Sequence, residues 1–138
     1  MAEYCGFDED RFDILFITLD KMDKIGLDGV KSELIEEGFD AAAVDKYLDI
    51  FNQLKDKKDV TEGVETLASI LGDSLDPEIV SNMKEIAENV NDCKTADFEL
   101  VFDPTLVRGM GYYTGTIFEI AIPEFGGSCG AAYCPRCG

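Results

Sequence analysis

The chain has 138 residues and a net charge of −17, and 46% of its residues are hydrophobic, a composition typical of one folded domain. Its longest apolar runs are a few residues, against the roughly 20 that a membrane helix needs, and its first residues lack the pattern of a signal peptide. We therefore expect a cytoplasmic protein without a membrane span. Residues 1–97 hold 25 acidic and 10 basic side chains, which excludes strong binding of nucleic acid or anionic membranes by this chain alone.

The chain contains five cysteines and no histidine. An odd number of cysteines without a secretory signal argues against a disulfide framework. Without histidine, neither a Ser-His-Asp triad nor a Cys-His dyad can form within this chain.

Apolar residues at three- and four-residue spacing predict consecutive amphipathic helices before Asp97. The first carries the apolar positions of residues 12–22, and Gly26 interrupts the pattern. The next is predicted to end at Gly38, since glycine adopts the left-handed conformation that ends many helices. Asp40 then follows as an N-cap for a third helix.

Two further helices begin at local capping signals. Asp59 and Glu62 have the spacing of a capping box, and Gly72 ends that helix. The run Asp76-Pro77-Glu78 combines an N-cap, a proline at the first helical position and an acidic residue near the positive helix end. The buried stripe of this last helix is predicted to contain Ile79, Met83, Ile86 and Val90.

The hydrophobic period changes to two after Asp97, which predicts strands at residues 98–102 and 116–122. The fold class is therefore predicted as α+β, a mostly helical bundle followed by a small antiparallel β hairpin. The predicted regions are a helical domain at 1–97, a hairpin with a recognition loop at 98–125 and a disordered Gly/Cys-rich tail at 126–138. Because two strands alone are not stable, helices, missing chain or a second copy must complete the sheet, and we expect a homodimer.

The loop between the predicted strands offers a site for a small anionic ligand. Arg108 can grip a phosphate or carboxylate in a bidentate manner, and the adjacent Gly109 lets a ligand approach the backbone closely. Tyr112 and Tyr113 point in opposite directions if the segment is extended, so one can face a pocket. The alternative is a glycine-rich hairpin with an exposed arginine and core tyrosines.

The run from residue 102 to 119, FDPTLVRGMGYYTGTIFE, resembles the histidine-specific signature of histidyl-tRNA synthetases. The upstream run from 17 to 26, ITLDKMDKIG, is similar to a segment that follows the second class II motif of that family. The resemblance covers most of residues 7–130. It implies that the helical region is the family's insertion domain and that the hairpin belongs to a class II catalytic core.

The resemblance also implies a reaction and roles for loop residues. The family joins histidine to tRNA through a histidyl-adenylate made from ATP, with Mg²⁺ accompanying the nucleotide. Arg108 matches the catalytic arginine that contacts the α-phosphate and the histidine carboxylate, and Tyr113 matches the tyrosine that hydrogen-bonds the substrate imidazole. Tyr112 and Gly109 support the same substrate site.

The three class II motifs and the anticodon-binding domain of the family are absent from this chain. We therefore expect an internal part of such a ligase, or a truncated relative, that is inactive alone. The alternatives are a synthetase-like protein that senses histidine without catalysis and a structural helical module used for self-association.

The end of the chain, with Cys134 and Cys137 in a CxxC pair, is half of a zinc ribbon. A structural zinc site needs four ligands, and the nearest third cysteine is Cys129. An unconstrained tail with reactive thiols is the favoured interpretation, so we predict no metal site, with zinc on Cys134 and Cys137 as the alternative.

Overall fold

The computed structural model describes residues 1–106, 115–122, 124 and 127–133. The chain divides into two compact units, Met1–Val107 and Arg108–Gly138, so the division falls ten residues after the predicted boundary at Asp97. The described part of the first unit has six α-helices: α1 Ala2–Cys5, α2 Phe12–Leu19, α3 Met22–Glu36, α4 Ala41–Leu54, α5 Val60–Leu71 and α6 Pro77–Asp92. Together with the hairpin of the second unit, this confirms the α+β fold class.

Glycines end or bend the helices where the sequence places them. Gly26 interrupts α3 with φ 68° and ψ 176°, as predicted. Gly38 follows α3 with φ 83°. Its N–H donates to the Ile35 carbonyl at 3.0 Å, and the Phe39 N–H donates to the Leu34 carbonyl at 3.1 Å. These two bonds form a Schellman motif, which satisfies carbonyls left open at the helix end.

The three predicted aspartate caps are confirmed. The Asp40 carboxylate accepts hydrogen bonds from the N–H groups of residues 42 and 43 at 3.0 and 3.1 Å. Asp59 accepts from the Glu62 N–H at 2.9 Å, and Asp76 accepts from the Glu78 N–H at 2.9 Å. Each bond satisfies a backbone donor that the first turn of a helix leaves without an internal partner.

Helix α4 is the centre of the first unit and packs against α1, α3 and α5. Its buried residues are Val44, Tyr47, Leu48, Ile50, Phe51 and Leu54. The Phe7 ring packs edge-on against Phe39 and Tyr47, with centroid distances of 5.4 and 5.3 Å. The four-residue helix α1, which the sequence analysis did not predict, contributes Ala2 and Cys5 to the same core.

Burial changes the acidity of two core side chains. Desolvation raises the pKa of the Cys5 thiol, although the charge of Lys46 partly offsets the effect. Desolvation also raises the pKa of Tyr47, with a further contribution from Cys5. Both groups are therefore held in their neutral forms at neutral pH.

The predicted buried stripe of α6 is wrong at Ile79, whose side chain is 50% exposed. The helix instead buries Ala87 and packs Val80 and Met83 against Val60 and Val64 of α5. The helix face that meets α5 therefore keeps the predicted Met83 but has Val80 and Ala87 in place of Ile79. Of the other predicted members, Ile86 and Val90 are half-buried.

The predicted strand at residues 98–102 is wrong, because this segment forms no ladder with another described segment. Leu100 and Phe102 instead pack against the cluster formed by α5 and α6. Leu100 and Phe102 thus face the helices, whereas Phe98 and Val101 are 43% and 44% exposed, so the alternating pattern is only partly matched by burial.

The described part of the second unit is an antiparallel hairpin of β1 Ile117–Ile122 and β2 Gly127–Tyr133. The register pairs Ile117 with Tyr133 and Ile122 with Gly127, and a bulge lies between Ile120 and Ala121. The strand predicted at 116–122 is thus confirmed. The prediction of a disordered tail is wrong for 127–133, because these residues complete the ladder of β1, and 134–138 lie outside the described residues.

Within the described ranges, no helix has both the length and the apolar character that a membrane crossing needs.

Candidate functional site

The residues predicted to bind substrate lie outside the described part of the chain. Arg108, Gly109, Tyr112 and Tyr113 all fall within residues 107–114. Their assignment therefore stays a prediction. The structure does describe the segments on both sides of this loop, each within its own unit.

The segment before the loop is attached to α5 at Phe102. The backbone N–H of Phe102 donates to the Lys58 carbonyl at 2.7 Å, just before α5 begins. The ring of Phe102 lies against Gly63 in the second turn of α5, where a Cβ atom would come within 2.3 Å of Cδ1 of the ring. Only glycine at residue 63 leaves room for the ring. The main chain of Phe102 is thus held by its hydrogen bond to Lys58, and its side chain by the contact with Gly63.

Asp103 organises the next turn. Its carboxylate accepts from the Thr105 N–H at 2.8 Å and from the Thr105 hydroxyl at 2.6 Å. The Leu106 N–H donates to the Asp103 carbonyl at 3.4 Å. An aspartate that bonds the backbone two residues ahead forms an Asx turn, which fixes the direction of the chain locally. Arg108 follows this turn after two further residues.

The segment after the loop enters the hairpin. Gly115 and Thr116 are half-buried and lead directly into β1. Glu119 of β1 is half-buried and lies opposite Ala131 of β2. Tyr113, which lies outside the described residues, precedes the first residue of β1 by four positions.

The surface at the start of α5 carries charges of both signs. Three lysines lie just before α5: Lys57 forms an ion pair with Glu62, while Lys55 and Lys58 are exposed. A cavity of about 680 Å³ adjoins this surface, and its charged lining residues are Lys58, Lys94, Asp59, Asp97 and Glu99. Since acids outnumber lysines there, this cavity does not favour phosphate.

The described residues contain no cluster of side chains that could bind a metal ion. Among the residues that the structure describes, no group of three or more cysteine, aspartate or glutamate side chains is placed to hold a metal ion. Cys129 is exposed on β2, while Cys134 and Cys137 lie outside the described residues. The zinc alternative therefore stays untested.

Sequence reasoning missed the contact between Gly63 and Phe102. The available signal was a glycine in the interior of a predicted helix, which destabilises a helix by roughly 0.5–1 kcal/mol relative to alanine. Such a residue often marks a close approach by another part of the molecule. Here the approaching group is the ring of Phe102, the first residue of the signature that contains the recognition loop.

Comparisons with known proteins all point to one family. The family model described as Histidyl-tRNA synthetase matches residues 1–131. A histidine–tRNA ligase from Leifsonia xyli subsp. xyli is 40% identical over 131 residues, which cover 94% of this chain and 30% of that protein. The ligase from Flavobacterium johnsoniae is 38% identical over 124 residues, covering 90% of this chain and 26% of that protein.

A third relative, the histidine–tRNA ligase from Christiangramia forsetii, is 35% identical over 123 residues, covering 89% of this chain and 26% of that protein. The chain thus spans between about a quarter and a third of the length of these curated relatives. No solved structure matches the chain.

Proposed function

The chain belongs to the histidyl-tRNA synthetase family, and from that premise we propose that it forms part of a histidine–tRNA ligase. It supplies a helical insertion domain at 1–97 and the loop that recognises histidine. The parent enzyme activates histidine with ATP and transfers it to tRNA(His). ATP, accompanied by Mg²⁺, is a substrate of this reaction.

The observation that carries the proposal is the run of 18 residues at 102–119, which resembles the histidine-specific signature of the family and lies within the range 1–131 that the family model matches. In the first unit, the signature begins at Phe102, which is fixed on α5. In the second unit, its last residues lie in the hydrogen-bonded strand that begins at Ile117.

The proposed roles follow from the chemistry of the loop residues. The Arg108 guanidinium carries a permanent charge and donates hydrogen bonds to two oxygens at once, so it stabilises negative charge that develops as the adenylate forms. Tyr113 hydrogen-bonds the imidazole of histidine. Gly109 leaves space for the substrate beside the backbone, and Tyr112 packs in support.

We expect no ligase activity from the 138-residue chain alone, because the ATP-binding motifs of the family lie in parts that it lacks. Contact with tRNA also depends on those parts, since residues 1–97 hold 25 acidic and 10 basic side chains. The parent is proposed to be cytoplasmic, and the chain itself is proposed to form a homodimer through its strands. Sedimentation equilibrium of the chain that shows only monomer at all tested concentrations would remove the dimer from the proposal.

A chimera tests the proposed function directly. Residues 1–131 replace the matching region of the Leifsonia xyli ligase, which is 40% identical over this length. We expect histidine-dependent exchange of pyrophosphate into ATP by the chimera. Arg108→Ala in the chimera is expected to lower the exchange rate at least 100-fold, the scale found when one group that stabilises transition-state charge is removed.

The matched control is Lys84→Ala, which removes a surface cation on α6 that pairs with Glu65. Because exposed ion pairs contribute little, this variant is expected to exchange normally. A folded, dimeric chimera without histidine-dependent exchange would contradict the proposal. Saturable histidine binding by the same inactive chimera, lost in Arg108→Ala, would instead favour the histidine-sensing alternative.

A further inference from the structure

We propose that an outward patch on α2, formed by Ile14 and Ile17, is an interface that the rest of the parent ligase covers. The covering surface is apolar at its centre and basic at its edge. This proposal rests on the proposed function, since it requires that the chain is part of a longer ligase.

Helix α2 carries apolar side chains on its outer side as well as on its inner side. Six of its eight residues are apolar. On the inner side, Leu15 and Leu19 are 0% and 2% exposed. On the outer side, Ile14 and Ile17 are 38% and 58% exposed. Because a helix that is apolar all round is normally buried all round, the outward patch indicates a second surface that packs against α2.

The outward patch has a negative edge. Ile14 and Ile17 are three residues apart in a helix, so their side chains are neighbours. Asp13 and Asp20 lie four residues before and three residues after Ile17, and both are exposed on the same side of the helix. Among the described residues, neither carboxylate forms an ion pair. An apolar surface with basic residues around it is therefore the complementary partner.

Charge disfavours a second copy of this unit as the partner. Residues 1–107 hold 27 acidic and 10 basic side chains, so two such units repel each other. Under the proposed function, the rest of the parent must supply the basic surface that binds the anionic tRNA. The chain spans only 26–30% of the curated relatives, so the rest of a parent of that length is large enough to cover the patch.

The test compares one substitution in two proteins, the 138-residue chain and the Leifsonia xyli chimera, by calorimetry. Ile17→Lys should change the Tm of the chain by no more than about 2 °C, because the position is exposed and a cation near the end of a helix is favourable. In the chimera it should lower Tm by about 5 °C or more, because it buries a charge in an apolar contact beside basic residues.

Two further variants keep the test decisive. If the Ile17→Lys chimera does not fold, Ile17→Ala removes the apolar contact without adding a charge, and it should lower Tm by a smaller amount in the chimera alone. Ile79→Lys is the matched control, at an isoleucine of α6 that is 50% exposed. It should shift the Tm of the chain and of the chimera equally.

Equal shifts in the two proteins for both Ile17 variants, or an unchanged Tm of the chimera, would overturn the proposal. Sedimentation equilibrium in which Ile17→Lys converts a dimeric chain to monomer would assign the patch to a second copy and would also overturn it. The unfolding measurement does not depend on catalysis. A chimera without pyrophosphate exchange, in which Ile17→Lys still lowers Tm, therefore contradicts the ligase function and not the interface.

Discussion

Replacing Gly38 by alanine is expected to destabilise the protein by about 1 kcal/mol. Gly38 has φ 83°, and the Schellman bonds at the end of α3 require this left-handed conformation. An L-residue pays roughly 1–2 kcal/mol to adopt it, and the lower entropy of the unfolded alanine variant offsets about 0.4–1 kcal/mol. A Cβ at this position would meet no atom within 4 Å, so crowding adds nothing.

Asparagine provides a comparison at the same position. It adopts the left-handed conformation more readily than alanine, so Gly38→Asn should recover about half of the loss. Gly72 is the matched control, because its φ of 53° and ψ of −130° lie outside the left-handed helical region. At Gly72, asparagine should be as destabilising as alanine.

The assay is urea unfolding followed by circular dichroism at 222 nm. With a slope of about 1–3 kcal/mol per molar urea, a loss of 1 kcal/mol lowers the midpoint by roughly 0.3–1 M while the slope stays constant. Gly38→Ala with an unchanged midpoint would refute the argument from φ. If alanine and asparagine at Gly38 lower the free energy of unfolding equally, the left-handed backbone conformation is not what this position requires.

Three further changes probe the first unit. Asp40→Ala removes the acceptor of two N–H groups at 3.0 and 3.1 Å and should lower the free energy of unfolding by about 1 kcal/mol; Asp40→Asn, which keeps an acceptor oxygen, should lose less in the same urea assay. Leu54→Ala, at a side chain 1% exposed, should cost about 2–5 kcal/mol, and calorimetry that shows an unchanged Tm would contradict it. The pKa of Tyr47 is raised above its ordinary value of 10.0, so the unfolded chain loses this proton first and stability falls as pH rises above 10. Tyr47→Phe should lose less stability than the parent between pH 9 and 11.5, and equal losses would exclude this origin.

Local chemistry made the helix boundaries predictable. A cap depends on one side chain and the three backbone groups that follow it, so Asp40, Asp59 and Asp76 are recognisable without knowledge of the tertiary fold. Gly38 is recognisable in the same way, because the positive φ at the end of α3 favours glycine at this position.

Packing direction was less predictable, since it depends on partners far away in the chain. The pattern of residues 98–102 has the period of a strand, but the inward-facing Leu100 and Phe102 meet helices. In α6 the contact with α5 uses Ala87 and leaves the larger Ile79 50% exposed, although both residues fit an apolar stripe in the sequence. In the candidate site, the signature around Arg108 identified the family from local sequence. The contact between Phe102 and Gly63 joins residues that are 39 positions apart, so no local sequence pattern reveals it.

The position of α1 beneath α4 has a consequence for synthesis on the ribosome. Lys46 of α4 holds the Tyr4 carbonyl at 2.7 Å across a separation of 42 residues. At roughly 5–20 residues per second, the ribosome needs about 2–8 s to make the chain between them. During this interval Cys5 and Phe7 have no core to enter, so the nascent chain exposes a thiol and an aromatic ring that the finished protein hides. Chaperones and thiol-reactive compounds therefore have a window of seconds in which to act on this segment.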